Sequence, residues 1–325
     1  MSVLGIDQLR PVPMHAHFKQ DDWLTWGGSV VQDDSGLYHM YVSRWPRAAG
    51  HGAWVTHSEV VHATATAPTG PYEFQDIALG RHERGAWDAD VAHNPTAIRW
   101  QGKYYLYYNG NFGDGTYWDH RNHQRVGVAV ADSPHGPWER RDKPLLDVTP
   151  GAWDSLVTTN PSCTPTPDGR FLLMYKGVGH ERELPMGGPV LHGVAFSGSP
   201  TGPFVKHPDP IFVSADAWFP GEDPFTWAQD GRFFAILKDQ GRNYSDEERA
   251  LVLFESDDGK DWSLATDPVV TPRRIRWADG SEVEYDRLER PQLYLEDGKP
   301  KSLFVAVKPA KKADDSFNIH IPLGS

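Results

Sequence analysis

The tetrapeptide Gly85-Ala86-Trp87-Asp88 recurs 66 residues later as Gly151-Ala152-Trp153-Asp154. Each copy stands shortly before an asparagine and a proline, Asn94-Pro95 and Asn160-Pro161, which open an apolar, strand-like segment. A fixed period in a sequence indicates a repeated structural unit, and it decides the fold before local secondary-structure signals are considered. The two copies therefore define a unit that can be searched for in the rest of the chain.

Five copies of this unit fill the chain. If Ser29, Pro95, Pro161, Pro224 and Pro291 are equivalent, the steps between copies are 66, 66, 63 and 67 residues. In each copy an apolar strand is followed by a turn, most often Asp-Gly, and then by an aromatic-rich strand, which is a hairpin pattern. A third strand and a Gly-Pro turn complete most copies.

Three or four antiparallel strands repeated at a fixed period are typical of the blades of a β-propeller. A blade cannot bury both of its faces alone, but radial stacking against neighbouring blades buries them. The sequence predicts an all-β protein, a single five-bladed β-propeller domain spanning residues 1–325 with about 65 residues per blade. A β-sandwich or jelly roll with accidental repetition is the alternative, and the matched steps disfavour it.

The composition limits the partners. The chain has 32 Lys and Arg against 44 Asp and Glu, a net charge of −12, which disfavours a nucleic-acid surface. A single cysteine, Cys163, excludes an internal disulfide and a cysteine-based zinc site. The N-terminus lacks a signal-like segment and no stretch of 18 apolar residues occurs, so we expect a cytoplasmic protein without a membrane partner. A secreted form whose signal was removed is the alternative, and the oligomeric state is open.

The motifs of the repeats follow the order Trp-Asp, then Asn-Pro or Glu-x-Pro, then Asp-Gly and an aromatic residue. Across essentially the whole chain, this order of motifs resembles that of the five-bladed propeller glycosidases. These are glycoside hydrolase families 43, 32, 62, 68 and, more loosely, 117. The family 43 general acid stands in a Glu-Gly-Pro motif that opens blade four, and here that position reads Gly221-Glu222-Asp223-Pro224. The resemblance thus implies Glu222 as the acid. Where family 43 has aspartates in blades one and three, this chain has Gly27-Gly28 and Asn160, as in a divergent or separate family.

Residues around the start of each first strand and the end of each second strand should converge at one mouth of the central channel, because the two strands are antiparallel. An aromatic ring there, such as Trp26, could stack on the C–H face of a sugar. A purely structural role, in turns, core packing or charge neutralisation, is the alternative. The predicted substrate-binding residues are His93, Asn94, Asn160, Asp223, Arg290, Arg44, Lys176, Lys308 and Trp26.

Glycoside hydrolysis requires two carboxyl groups that face the scissile bond. Glu222 is the predicted acid by its position as well as by the resemblance. Its partner is open. Asp90, His93, Asp21 and Asp22 lie on blades across the ring and are favoured over Glu289, whose blade is adjacent. Asp88 and Asp154 recur from blade to blade, so an architectural role is favoured for both.

These residues predict a glycoside hydrolase that acts, in an exo manner, on the terminal sugar of a plant or algal oligosaccharide. A glycoside phosphorylase or sugar lyase is the first alternative, with Arg44, Lys176, Arg290 and Lys308 binding phosphate or a uronate. A non-catalytic sugar-binding propeller is the second. No cofactor is expected to be required, and no metal ligands are predicted, although related propellers often hold a structural metal ion in the central channel.

Overall fold

The computed structural model describes residues 3–324, whose main sheets form the five blades of a β-propeller. Every blade is antiparallel and its first strand is the innermost one. Blades one and two consist of Trp23–Gln32, Tyr38–Pro46, Glu59–Ala65 and Glu73–Leu79, then Val91–Trp100, Lys103–Asn111 and Arg125–Ala131. Blades three and four consist of Val157–Pro165, Phe171–Val178, Val190–Ser197 and Val205–Lys206, then Gly221–Gln229, Arg232–Asp239, Leu251–Ser256 and Ser263–Thr271. The predicted fold is confirmed.

Blade five closes the ring with both ends of the chain. Its strands Arg287–Glu296, Lys299–Lys308 and Phe317–Pro322 are completed by His17–Phe18 from the N-terminal region, which pairs antiparallel with the third strand. The outer edge of blade five is therefore covered, and the closed ring leaves only short protected edges.

The remaining elements are short and lie between strands. A small hairpin of Arg274–Arg276 and Glu282–Glu284 precedes blade five. Within residues 3–324, no helix has the length and apolar character needed to cross a membrane. The helical elements are the 3-10 turns Ile6–Gln8, Arg47–Ala49 and His51–Ala53 and the α-helices Trp54–His57 and Tyr117–Asn122.

Each first strand contains the same irregularity in its pairing. In blade two, His93 pairs with Asn109 and Thr96 pairs with Tyr107, so the register shifts between them. The residue after His93 has a positive φ, as do its counterparts in the other blades. These residues are Gly27 (65°), Asn94 (51°), Asn160 (52°), Asp223 (56°) and Arg290 (52°).

The register corrects the predicted alignment of blade one. Trp26 pairs with Ser43 and Ser29 pairs with Tyr41, so Ser29 corresponds to Thr96 and not to the proline before it. Gly28 takes the place of the proline, and Trp26 takes the place of His93. The sequence alignment was displaced by one residue because blade one has no proline to mark the irregularity.

The recurrent Trp-Asp pair joins strands within its blade. Asp88 accepts a hydrogen bond from the hydroxyl of Tyr108 at 2.6 Å and from Arg140 at 3.0 Å. Asp154 accepts the corresponding bond from Tyr175 at 2.9 Å and a second one from a lysine, Lys206. Both aspartates are buried, and their contacts match the architectural role that their repetition indicates.

Neighbouring blades are held together by apolar packing and by one recurring hydrogen bond. Tyr41 of blade one and Leu106 of blade two belong to the same fully buried cluster between the two sheets. The Tyr41 hydroxyl also donates to the Pro134 carbonyl at 2.6 Å, and Tyr107 of blade two donates to Pro200 at 2.7 Å. The tyrosine-rich second strands thus explain much of the aromatic content.

Candidate active site

A cavity of about 180 Å³ opens on the propeller axis, at the end where the first strands begin. Most predicted site residues come together there, because the repeated irregularity places one or two residues of each first strand at the mouth. The cavity is lined by Trp26, Trp45, His51, Trp54, His93, Asn94, Tyr117, Asn160, Lys176, Glu222, Asp223, Arg287 and Glu289.

Glu222 is held by three polar side chains. Its Oε1 accepts a hydrogen bond from Lys176 Nζ at 2.7 Å, and its Oε2 accepts one from Gln240 at 2.6 Å and lies 3.9 Å from Lys238 Nζ. Burial raises the pKa of Glu222, but the two ammonium groups outweigh burial and hold this pKa at about 2. The carboxylate is therefore ionised at neutral pH, a state that suits a base or nucleophile better than the acid role implied by the resemblance.

Glu289 shares an ammonium group with Glu222. Its Oε1 accepts a short hydrogen bond from Lys238 Nζ, and its Oε2 lies 3.9 Å from Arg287 Nη1. Glu289 and Lys238 are both buried. Since one lysine contacts both glutamates, the carboxylates of adjacent blades four and five lie close together at the mouth.

Asp223 lies beside Glu222 on the floor of the cavity. Burial, reinforced by the negative charge of Glu222, raises the pKa of Asp223 to about 6. Its Oδ1 accepts a hydrogen bond from Asn160, whose own Oδ1 accepts one from Asn94 at 2.9 Å. The two adjacent carboxyl groups thus have pKa values displaced in opposite directions, which is the pattern expected of an acid and base pair.

Arg290 does not line the cavity, contrary to its predicted substrate-binding role. Its side chain is fully buried and crosses the channel beneath the floor, where Nη2 donates to the carbonyl oxygens of Asn94 at 2.9 Å and Pro161 at 3.0 Å. A Cβ atom on Gly27 would lie 2.6 Å from Arg290 Cγ, so blade one needs glycine at this point. The guanidinium reaches from blade five to blades two and three and contributes a fixed positive charge at the axis.

The same arginine limits the space for the structural metal ion that the family resemblance implies in the channel. A guanidinium group bonded to carbonyl oxygens from two blades takes the acceptors that a cation at the axis would need. Among the described residues, the channel also lacks a group of three His, Cys, Asp or Glu side chains close enough to share an ion. The residues of this channel therefore do not fit a metal ion.

Aromatic side chains form one wall of the cavity. Trp54 stacks on His93 with ring centroids 4.9 Å apart, and Trp45 meets His93 edge-on at 5.7 Å. Trp26 meets His51 edge-on at 5.5 Å. Flat apolar faces of this kind suit the C–H face of a sugar ring.

His93 is neutral and held in place. Its Nδ1 lies 2.8 Å from the hydroxyl of Ser58, and the residue is buried. Burial, followed by the positive charge of Arg290, lowers the pKa of His93 well below its ordinary value. The ring can therefore serve as a hydrogen-bonding group of the cavity without a charge.

Two predicted catalytic aspartates lie outside the cavity. Asp22 is exposed in the turn before blade one, where its backbone carbonyl accepts a hydrogen bond from Arg47. The Asp90 carboxylate accepts a hydrogen bond from the backbone of Gly113 at 3.1 Å and lines a separate surface depression on blade two. Both precede their strands closely in sequence, but neither lines the axial cavity.

Two cationic residues that were predicted to bind substrate, Arg44 and Lys308, also lie outside the cavity. In each blade, one residue of the second strand pairs with the first-strand residue that lies at the mouth. In blades three and four this second-strand residue is a lysine, Lys176 and Lys238 respectively. Arg44 is one residue past the equivalent Ser43, so strand alternation turns it to the other face, where it pairs with Glu59 at 2.8 Å. Lys308 is two residues past its equivalent, Ala306, and donates to the Lys311 carbonyl at 2.9 Å.

Several wall residues were not predicted from the sequence. Trp45 and His51 end or follow the second strand of blade one, and Tyr117 lies on the helix after the second strand of blade two. Second strands end at the mouth, so long connections after them are the signal that could have revealed these residues. Arg287 begins the first strand of blade five and lies at the cavity rim.

No protein-family model and no curated protein sequence matches the chain. Solved structures do share its architecture. A family 117 glycoside hydrolase from the marine bacterium Zobellia galactanivorans superposes with a TM-score of 0.65 at 18% identity, covering 97% of this chain and 88% of its own. The complex of BT0996 with RGII gives a TM-score of 0.69 at 13% identity, covering 99% and 92%. A GH43_1 enzyme from Xanthomonas citri complexed with xylotriose gives 0.63 at 18% identity, covering 95% and 89%. The protein thus has the five-bladed propeller fold of these glycoside hydrolases.

Proposed function

We propose that the protein is a glycoside hydrolase that removes a terminal sugar from a plant or algal oligosaccharide. The observation that carries the proposal is the convergence of Glu222, Asp223 and Glu289 in one aromatic-walled cavity, with the pKa values of the first two displaced in opposite directions. Hydrolysis of a glycosidic bond needs a protonated carboxyl group and an ionised one on opposite sides of that bond.

The environments of the carboxyl groups suggest their roles. Glu222, ionised between two lysines, would act as the base or nucleophile. Asp223, with its raised pKa, would keep a proton near neutral pH and give it to the leaving oxygen. Glu289 shares Lys238 with Glu222 and is the alternative catalytic carboxyl group.

An exo mode of action is supported by the size and walls of the cavity. A volume of about 180 Å³ leaves room for roughly one sugar ring. The short helices Trp54–His57 and Tyr117–Asn122 each contribute an aromatic residue to its wall. The rest of an oligosaccharide would extend past the rim. Solved propellers in complex with RGII and xylotriose support an oligosaccharide as the substrate.

The cationic residues do not favour a phosphorylase or a lyase. Lys176 and Lys238 are already paired with Glu222 and Glu289, so their charges are neutralised within the cavity. Arg44 and Lys308 have protein partners elsewhere. Arg287 lies at the rim, 3.9 Å from a carboxylate oxygen, and provides little for phosphate binding by itself.

A substrate screen tests the proposal. Aryl glycosides and oligosaccharides would be incubated with the wild type, Glu222→Gln, Asp223→Asn and Glu289→Gln, with and without inorganic phosphate. We expect phosphate-independent hydrolysis that falls about 10²- to 10⁴-fold in Glu222→Gln and Asp223→Asn. Glu248→Gln, which changes an exposed glutamate, is the matched control and should retain full rate.

Three outcomes would contradict the proposal or its site assignment. Activity only with phosphate would indicate a phosphorylase. Binding of oligosaccharides without turnover of any sugar would indicate a binding protein. Full activity in Glu222→Gln and Asp223→Asn would show that the chemistry takes place elsewhere.

A further inference from the structure

Three histidines and two aspartates form a second cluster, which lies in the outer part of blade one and away from the axial cavity. His39 and His62 are on the second and third strands, and Asp76 is on the outer strand. Asp33 lies in the turn before the second strand. His135 comes from blade two, in the turn after its third strand.

The buried part of the cluster is a chain of hydrogen bonds. Asp33 Oδ2 lies 3.2 Å from His39 Nε2, and His39 Nδ1 lies 2.9 Å from His62 Nε2. Both imidazole side chains are 0% exposed. Asp33 also accepts hydrogen bonds from the backbone and hydroxyl groups of Ser35, as an ionised carboxylate does.

For neutral rings, the form in which imidazoles bind metal ions, this chain of hydrogen bonds determines where the protons lie. The ionised Asp33 can only accept, so His39 donates from Nε2, and a neutral His39 then has a lone pair on Nδ1. His62 must therefore donate from Nε2, which leaves a lone pair on its Nδ1.

The lone pair of His62 Nδ1 points toward another acceptor. This atom is buried without a hydrogen-bond partner and lies 3.6 Å from Asp76 Oδ2. A nitrogen lone pair and a carboxylate oxygen in this arrangement repel each other unless a proton or a metal ion lies between them. The separation of 3.6 Å is too long for a hydrogen bond but suits two ligands of one metal ion. The His135 ring completes the site, since one ligand atom each from His62, Asp76 and His135 lie within 4.8 Å of one another.

We propose that His62, Asp76 and His135 bind a zinc ion that ties blade one to blade two. Two imidazoles and a carboxylate are ligands that Zn²⁺ accepts, with water in the fourth position. Asp76 and His135 are exposed and can close the remaining distance to the ion. The buried Asp33–His39 pair fixes the tautomer of His62, as outer partners of metal-binding histidines commonly do.

Zinc titration of the untagged, chelator-treated full chain tests this site. Isothermal titration calorimetry with ZnCl₂ should show one site, and thermal unfolding should shift to higher temperature with zinc. His135→Ala and Asp76→Asn, which change exposed side chains, should lose this site and the shift. His57→Ala, which removes an exposed histidine of the helix at the cavity rim, should leave both unchanged.

A fourth variant tests the positioning role of the buried hydrogen bonds. Asp33→Asn changes no ligand, and we expect it to weaken zinc binding by about 10- to 100-fold. Zinc binding that is absent in the wild type, or that persists at full strength in His135→Ala and Asp76→Asn, would overturn the proposal. Full affinity in Asp33→Asn would overturn the positioning role. All readouts are binding and stability, so the result is independent of the proposed hydrolase activity.

Discussion

The side chains of Lys176 and Glu222 form a largely buried ion pair, 2.7 Å from Nζ to Oε1, that joins blades three and four at the mouth of the axial cavity. The lysine lies on the second strand of blade three and the glutamate lies on the first strand of blade four. The charge of the lysine is a main reason that the pKa of the glutamate is low. Glu222 therefore offers an ionised carboxylate to a ligand in the cavity at any pH near neutral.

Replacement of Lys176 by Met should move the acid limb of the pH–activity profile to higher pH. Lys176 lowers the pKa of Glu222, and burial, which raises it, would remain. We expect the acid limb of kcat/KM to rise by about one pH unit or more. Lys103→Met, which breaks an exposed pair with Asp132, is the control. An unchanged acid limb would mean that the ionised form of Glu222 is not required.

Replacement of Trp54 by Ala should weaken substrate binding. The indole forms part of the cavity wall and stacks on His93, so its loss removes a flat apolar surface without touching a carboxyl group. We expect KM to rise about 3- to 10-fold, with a smaller change in kcat. Trp218→Ala serves as the control because Trp218 packs against Arg182 outside the cavity. Equal KM values for the two variants would contradict the stacking role.

The folded protein should lose stability as the pH falls below about 6.5, and His192 should account for part of the loss. Burial lowers the pKa of His192 to about 3, and neither ring nitrogen has a hydrogen-bond partner. The unfolded chain therefore takes up the proton first. When the pH falls from 7 to 5, this histidine should lower the free energy of unfolding by about 2 kcal/mol.

Denaturant unfolding at the two pH values measures this effect. His192→Phe, which keeps a ring beside Phe212, should reduce the difference between pH 7 and pH 5. His57→Gln at an exposed position should leave it as in the wild type. If His192→Phe retains the full difference, the buried ring is not the group that takes up the proton.

Replacement of Phe18 by Ala should destabilise the closure of the ring. Phe18 lies on the N-terminal strand of blade five and is buried in a core cluster that also contains Met40 of blade one and Phe304 of blade five. We expect a loss of about 3–5 kcal/mol in unfolding free energy. The matched control is Phe112→Ala, which changes a residue that is 43% exposed and should cost much less. Similar losses for both variants would show that the closing strand is not specially important.

The architecture and the position of the candidate site at the mouth of the channel could be predicted from the sequence alone. The repeat of the Trp-Asp pair and the Asn-Pro irregularity is a local property of the chain, so it could be counted without a structure. Because antiparallel strands bring their ends to one mouth, the convergence of Glu222, Glu289, His93 and Lys176 also followed from the repeat.

The tertiary structure decides which of the candidate residues face the cavity. It also decides which of these residues are charged. Arg44 misses the cavity by one residue, so strand alternation turns it to the other face, whereas Lys308 lies two residues farther along its strand than the position that faces the cavity. The charge of Glu222 depends on Lys238, its cross-strand neighbour in blade four, and on Lys176 of blade three, which comes close only when the two blades pack together. The cluster of His62, Asp76 and His135 likewise exists only where blade one meets blade two.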